Sequence, residues 1–264
     1  MPMKYSMENE DKKHPLDALQ LMHTREAIRV RLKLGPRHSY LRDFIYGAID
    51  GTVTTFAVVS AVEGANLPVG VIIILGLANL FGDGFSMAIG NYLGTRAEDQ
   101  LRIKAREMEE YHIATVPDGE REEIRQIFSS KGFKGEDLER AVKIITSDMK
   151  TWVDTMLQEE LGLPIEGPSP IRAAFSTFAA FILVGLIPLL AYIFQSIVPG
   201  GLSNPFLWSI IMTAFGFFVV GALKSRYVGQ SWILAGMETL IMGGSAAGLA
   251  YLVGLLLRDI VKIF

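Results

Sequence analysis

Long apolar runs in this 264-residue chain are interrupted by one long polar stretch. Five runs, at 44–63, 69–93, 173–198, 205–223 and 231–257, are long enough to cross a bilayer at about 1.5 Å of helix per residue. The first two are joined by "GANLP" and the third and fourth by "PGGLSNP", turn signals that predict short hairpins. Residues 16–34 place Leu19, Met22, Ala27, Val30 and Leu34 against a basic face, a pattern that predicts an amphipathic helix on a membrane surface.

The polar stretch predicts three helices. The second span continues past Tyr92 to about Ile113, where "TVPDGE" stops it. Pro117 suits the first turn of a helix near 118–130, and "KGFKG" breaks that helix. A third helix is expected over 136–161, with a stripe of Leu138, Val142, Ile145, Met149, Trp152 and Met156. One stripe per helix allows a small bundle. The predicted fold is therefore all-α: five transmembrane helices with a three-helix insertion between spans two and three. The expected parts are an arm at 1–43, spans one and two at 44–94, the insertion at 95–168 and spans three to five at 169–264.

Composition narrows the chemistry. Cysteine is absent, so this chain has no disulfide, thiolate metal site or cysteine nucleophile. A formal net charge of -3 gives no reason to expect nucleic acid as a partner. The polar first stretch, "MPMKYSMENEDKKHP", does not read as a signal peptide. Lys and Arg gather before Phe44, in the insertion and at Lys224 and Arg226, while the two short hairpins have none. The positive-inside rule then puts the N-terminus, the insertion and the 224–230 link in the cytoplasm and the C-terminus outside. The expectation is a multi-pass protein of a vacuolar or plasma membrane.

Within the first span, in "YGAIDGTVTTFAVVSAVEGA", the only charged side chain between Phe44 and Val62 is Asp50. A carboxylate there costs about 2.5–3.5 kcal/mol on insertion scales, so it needs a compensating role. The second span carries Asn79, Asp83, Met87 and Asn91 at four-residue spacing, which sets them along one stripe of a helix. Such a stripe avoids lipid and faces other helices or water. The last span holds Glu238, Met242 and Ser245 in a similar array. No Lys or Arg is interspersed with Asp50, Glu63, Asp83 and Glu238 inside these runs. Acids with a soft thioether nearby suit a cation, and Asp50, Asp83, Met87 and Glu238 are the candidate pathway residues. Glu63, beside a turn, reads as structural. Gly47, Gly51, Gly243, Gly244 and Gly248 form small-residue faces for close helix approach.

In the insertion, Glu109 and His112 form a Glu-x-x-His pair, Glu120 and Glu123 lie three apart, and Met156 precedes Glu160 by one turn. An i, i+3 pair points two ligands to one side, and facing pairs across a bundle make a carboxylate-rich metal cage. From spacing alone a solvated charged face explains these residues equally well.

The stretches "YGAIDGTVTTFAVVSAVEGA" and "GLANLFGDGFSMAIGNYL", followed by "PDGEREEI" and "MLQEELGL", resemble the vacuolar iron transporter family from about Tyr40 to the C-terminus. The resemblance implies a five-span homodimer that exchanges cytosolic Fe(II), and Mn(II) as well, for protons. It implies pathway roles for Asp50 and Met87, and metal ligation in the insertion by Glu109, His112, Glu120, Glu123, Met156 and Glu160. Zn(II) also fits these donors, and no organic cofactor is implied. Three positions depart from the family pattern: His112 is commonly glutamate, Leu157 stands where plant members have a second methionine, and Asn91 stands where glutamate is frequent. The expected function is a divalent-metal carrier. The alternatives are a membrane-tethered ferritin-like di-iron oxidase, which would want a second Glu-x-x-His motif, and a metal sensor without transport.

Overall fold

The computed structural model describes residues 19–34, 38–198 and 200–261. The chain forms two units, Met1–Ser39 and Tyr40–Phe264.

In the first unit a helical turn at 19–22 is followed by α1, Arg25–Leu34. The continuous helix expected over 16–34 is interrupted at His23 and Thr24, and its first three residues lie outside those described. The break has a local cause: the Thr24 hydroxyl accepts the Ala27 N–H at 3.3 Å and starts a new helix. Val30 and Leu32 on α1 are exposed.

In the second unit the described elements are all helical. They are α2 (Leu41–Gly64), α3 (Val69–Thr115), α4 (Pro117–Ser130), α5 (Gly135–Ile145), α6 (Met149–Glu159), α7 (Pro170–Gly185), α8 (Ile187–Ile197), α9 (Pro205–Val228) and α10 (Trp232–Val261). Four of them, α2, α3, α9 and α10, contain stretches long and apolar enough to cross a membrane. The run expected as the third span is broken into α7 and α8, which meet at 48°. Pro188 explains the bend, because it removes a backbone donor and crowds the preceding turn.

α2 is central and packs against α3, α7, α8, α9 and α10. Glycine makes its closest crossing possible. A Cβ on Gly47 would lie 2.3 Å from the Thr177 carbonyl oxygen, and one on Gly51 would lie 2.6 Å from that of Phe181. The face expected from Gly47 and Gly51 therefore meets α7 backbone to backbone. Gly243 abuts the Phe217 ring, whereas Gly244 and Gly248 have open space around them.

α3 runs for 47 residues, roughly 70 Å at 1.5 Å per residue. Its first half buries Ile72 and Leu80 in an apolar core with Phe56, Val59, Leu189, Tyr192 and Phe217. Its second half contributes Ala105 and Ile113 to a separate core with Ile124, Val142, Trp152, Val153, Met156 and Leu157. This second core is the insertion. The single helix expected over 136–161 is two helices, α5 and α6. Asp148 divides them: its carboxylate accepts the Thr151 N–H at 2.9 Å and the Thr151 hydroxyl at 2.7 Å, capping α6. The expected apolar stripe is interrupted at that point, and Met149 is exposed.

Candidate metal centre

Glu109 lies on α3, and its polar-helix register turns it inward beside Ala105 and Ile113. His112 follows one turn later on the same helix. Pro117 starts α4 at once, so Glu120 comes back in the first turn of the next helix toward the same point. Glu109, His112 and Glu120 each offer a ligand atom, all within 4.8 Å of one another. His112 Nδ1 stands 3.6 Å from Glu120 Oε1.

Two of these acids are buried, Glu109 at 2% and Glu120 at 4% exposure, and each has an Oε2 with no hydrogen-bond partner among the described residues. A buried carboxylate oxygen without a donor is expensive, on the order of 1–3 kcal/mol or more for a charged group. Burial, with the negative charges of Glu160, Glu120 and Glu123, pushes the Glu109 carboxyl up to about 7, and His112 partly opposes this. Burial and Glu123 raise Glu120, with His112 again opposing. Burial and Glu123 also raise Glu160. A divalent cation would engage the unpartnered oxygens and reverse the repulsion, so this donor set fits one.

The sequence-predicted ligands do not all stand alike. Glu123 and Glu160 are exposed but close enough to act electrostatically on Glu109. Met156 is completely buried in the apolar core of the insertion. Asp154 of α6 is buried and paired with Arg106 of α3, which fastens the two helices together, and with Lys150 one turn earlier on α6 at 2.7 Å.

The second set of candidates lies in the apolar bundle, along the antiparallel seam between α2 and α3. Asn91 donates to Asp43 Oδ1 at 2.9 Å and to the Thr177 hydroxyl at 2.7 Å. Asn79 donates to the Thr54 hydroxyl at 3.3 Å. Between these two ties lie Asp50 of α2 and Asp83 of α3, close enough for their charges to interact. Every step forward on α3 thus matches a step back on α2, and the spacing of Asn79, Asp83, Met87 and Asn91 becomes a polar track. Met87 is half-buried on it. Asp43, seven residues before Asp50 and hence on the same face, belongs to the track and was not singled out from sequence; that spacing was the available signal.

Glu238 differs from the unpaired acid expected of it. It is exposed on α10, and Lys224 of α9 stands 3.4 Å from its Oε2. The helical hairpin brings together two residues fourteen apart, a pairing that the apolar runs alone do not reveal. Glu63, expected to be structural, accepts a hydrogen bond from the Tyr192 hydroxyl at 3.1 Å.

The model of the VIT family matches residues 41–255 of this chain. A vacuolar iron transporter of Toxoplasma gondii is 32% identical over 229 residues, covering 84% of this chain and 76% of that protein. Vacuolar iron transporter 1 of Tulipa gesneriana is 32% identical, over 80% of this chain and 84% of its own length. Vacuolar iron transporter 1 of Arabidopsis thaliana is 29% identical, over 80% and 83% respectively. The matched region takes in both the polar track and the insertion, and its extent makes the chain a membrane protein of the VIT family.

Proposed function

We propose that the protein carries Fe(II), and Mn(II) as well, out of the cytosol in exchange for protons, working as a homodimer. In this reading the N-terminus and the insertion are cytoplasmic. The bent pair α7–α8 is one span, giving five. The observation that carries the proposal is that Asp50 and Asp83 lie on neighbouring apolar helices close enough to interact, with neither in an ion pair to a basic side chain among the described residues. Two carboxylates so placed repel when both are charged, and a divalent cation or a proton relieves them. Competition between those two occupants couples the fluxes.

The insertion collects metal from dilute solution. Glu109, His112 and Glu120 form the innermost donors, Glu123 and Glu160 add negative charge, and Met156 is the soft ligand implied by the family resemblance. Metal released from there enters the α2–α3 track and passes Met87 to reach Asp83 and Asp50. Glu238, balanced by Lys224, lies at the margin of this path. Relatives named iron transporters over four fifths of the chain support iron as the cargo.

The test is flux into proteoliposomes holding the full-length protein, with Fe(II), Mn(II) and Zn(II) compared under an imposed pH gradient. Fe(II) and Mn(II) uptake that dissipates the gradient is expected. Metal binding without uptake would make the protein a sensor.

A further inference from the structure

The track contains two asparagines, and they are engaged differently. Asn91 is satisfied at both ends: its amide nitrogen donates to Asp43 and Thr177, and its Oδ1 accepts from the Thr95 hydroxyl at 3.3 Å. Among the described residues Asn79 is held at one end alone. The Thr54 hydroxyl donates its single proton to the Asp50 carbonyl oxygen at 2.9 Å. Thr54 can then only accept from Asn79, whose Nδ2 lies 3.3 Å away. That chain of two bonds decides which end of the amide meets Thr54, and it directs Oδ1 away from it.

The position of that oxygen matters. Asn79 stands one helical turn before Asp83, and Met87 stands one turn after it. Thr54 stands one turn after Asp50 on the opposing helix. On α3, then, an amide precedes Asp83 by one turn and a thioether follows it by one turn, a hard donor and a soft one.

We propose that Asn79 is a specificity-determining ligand of the transported cation, supplying a carbonyl oxygen beside Asp50 and Asp83, and that Thr54 is the positioning residue that aims it. This rests on the transport reading above. The hard donor favours Mn(II) and the thioether favours softer ions such as Zn(II), so the balance between Asn79 and Met87 sets which ion is preferred.

The experiment is competition between Mn(II) and Zn(II) for uptake by the full-length protein in proteoliposomes, read as the ratio of their kcat/KM values. Asn79→Leu lowers the Mn(II)/Zn(II) ratio at least about five-fold, the scale of one polar interaction. Thr54→Val, which keeps Asn79 but frees its amide, lowers the ratio part of the way. Asn79→Asp keeps an oxygen there and keeps the Mn(II) preference, while Met87→Leu raises the ratio. A mere tie between helices would slow both ions by one factor, so an unchanged ratio in Asn79→Leu and Thr54→Val overturns the proposal. Should Asn79→Leu fail to fold, Thr54→Val decides by the same criterion. Wild-type protein that moves neither ion overturns the transport reading and this inference with it, whereas wild-type transport with an unmoved ratio overturns this inference alone.

Discussion

Glu109 and Glu120 come from different helices, yet their carboxylates share one buried cluster in which each has an oxygen without a partner among the described residues. Such a pair is unfavourable in the metal-free protein and favourable once a cation joins it. The double substitution Glu109→Gln, Glu120→Gln removes the charge and keeps the shape. Second-sphere changes alone weaken metal sites about 10–100-fold, so loss of these two proposed ligands is expected to cost at least about 100-fold in affinity. Titration calorimetry of the full-length protein measures this, together with a metal-free melting temperature that rises. Unchanged metal affinity would reduce the cluster to a charged surface.

The same burial fixes a pH dependence. Glu109 has an ordinary value of 4.5 and is raised to about 7 in the fold, so between those values the native state holds a proton that the unfolded chain has lost. Its contribution to metal-free stability is complete below about pH 4.5 and is lost as pH rises through about 7. Glu120 and Glu160 are raised in the same direction. Metal-free protein should therefore melt higher at pH 5.5 than at pH 8. Metal must displace that proton, so affinity should run the opposite way and increase toward pH 8. Thermal scans and titrations at the two pH values test both slopes.

His112 opposes the upward shift of the neighbouring acids and is the cluster's candidate nitrogen ligand. Replacing it by glutamate adds another hard oxygen and a further negative charge. His112→Glu should retain metal binding, shift preference severalfold from Zn(II) toward Mn(II), and raise the pH at which binding is half-maximal. Competition titrations check the preference, and a loss of all binding would show that the imidazole is indispensable.

Helix crossing gives a prediction about stability. A Cβ on Gly47 would sit 2.3 Å from a backbone oxygen of α7, so α2 must move away. Gly47→Ala is expected to destabilise by about 1–3 kcal/mol, as overpacking does. Gly70→Ala, with nothing within 4 Å of the added carbon, serves as the neutral comparison. Melting temperatures of the two purified variants decide the matter.

Much of this architecture could be read from residue order, and the exceptions have local causes. Four-residue spacing on one helix made the Asn79 to Asn91 stripe visible, because a helix converts that interval into a shared face. The partners Asp43 and Thr54 lie on another helix, and antiparallel register is a tertiary property. Three helices broke where continuous ones were expected, the first at Thr24, whose hydroxyl caps a new helix. Asp148 offered a cap that competed with an unbroken apolar stripe, and Pro188 bent a run whose hydropathy alone looks uniform. The pairs Glu109–His112 and Glu120–Glu123 were visible as spacing, but their convergence needed the turn at Val116 and Pro117 to fold α4 back onto α3. Lys224 neutralises Glu238 for a comparable reason, since a hairpin joins residues that the sequence separates.

In the proposed mechanism a metal ion and a proton compete for Asp50. Fe(II) uptake by proteoliposomes under a proton gradient, compared between wild-type protein and Asp50→Asn, tests it most directly. The amide matches the carboxylate in size but exchanges no proton and carries no charge. Uptake at the level of empty vesicles is expected for Asp50→Asn, with metal binding by the insertion and the melting temperature retained. Uptake by Asp50→Asn at the wild-type rate, with the same dissipation of the gradient, would contradict it.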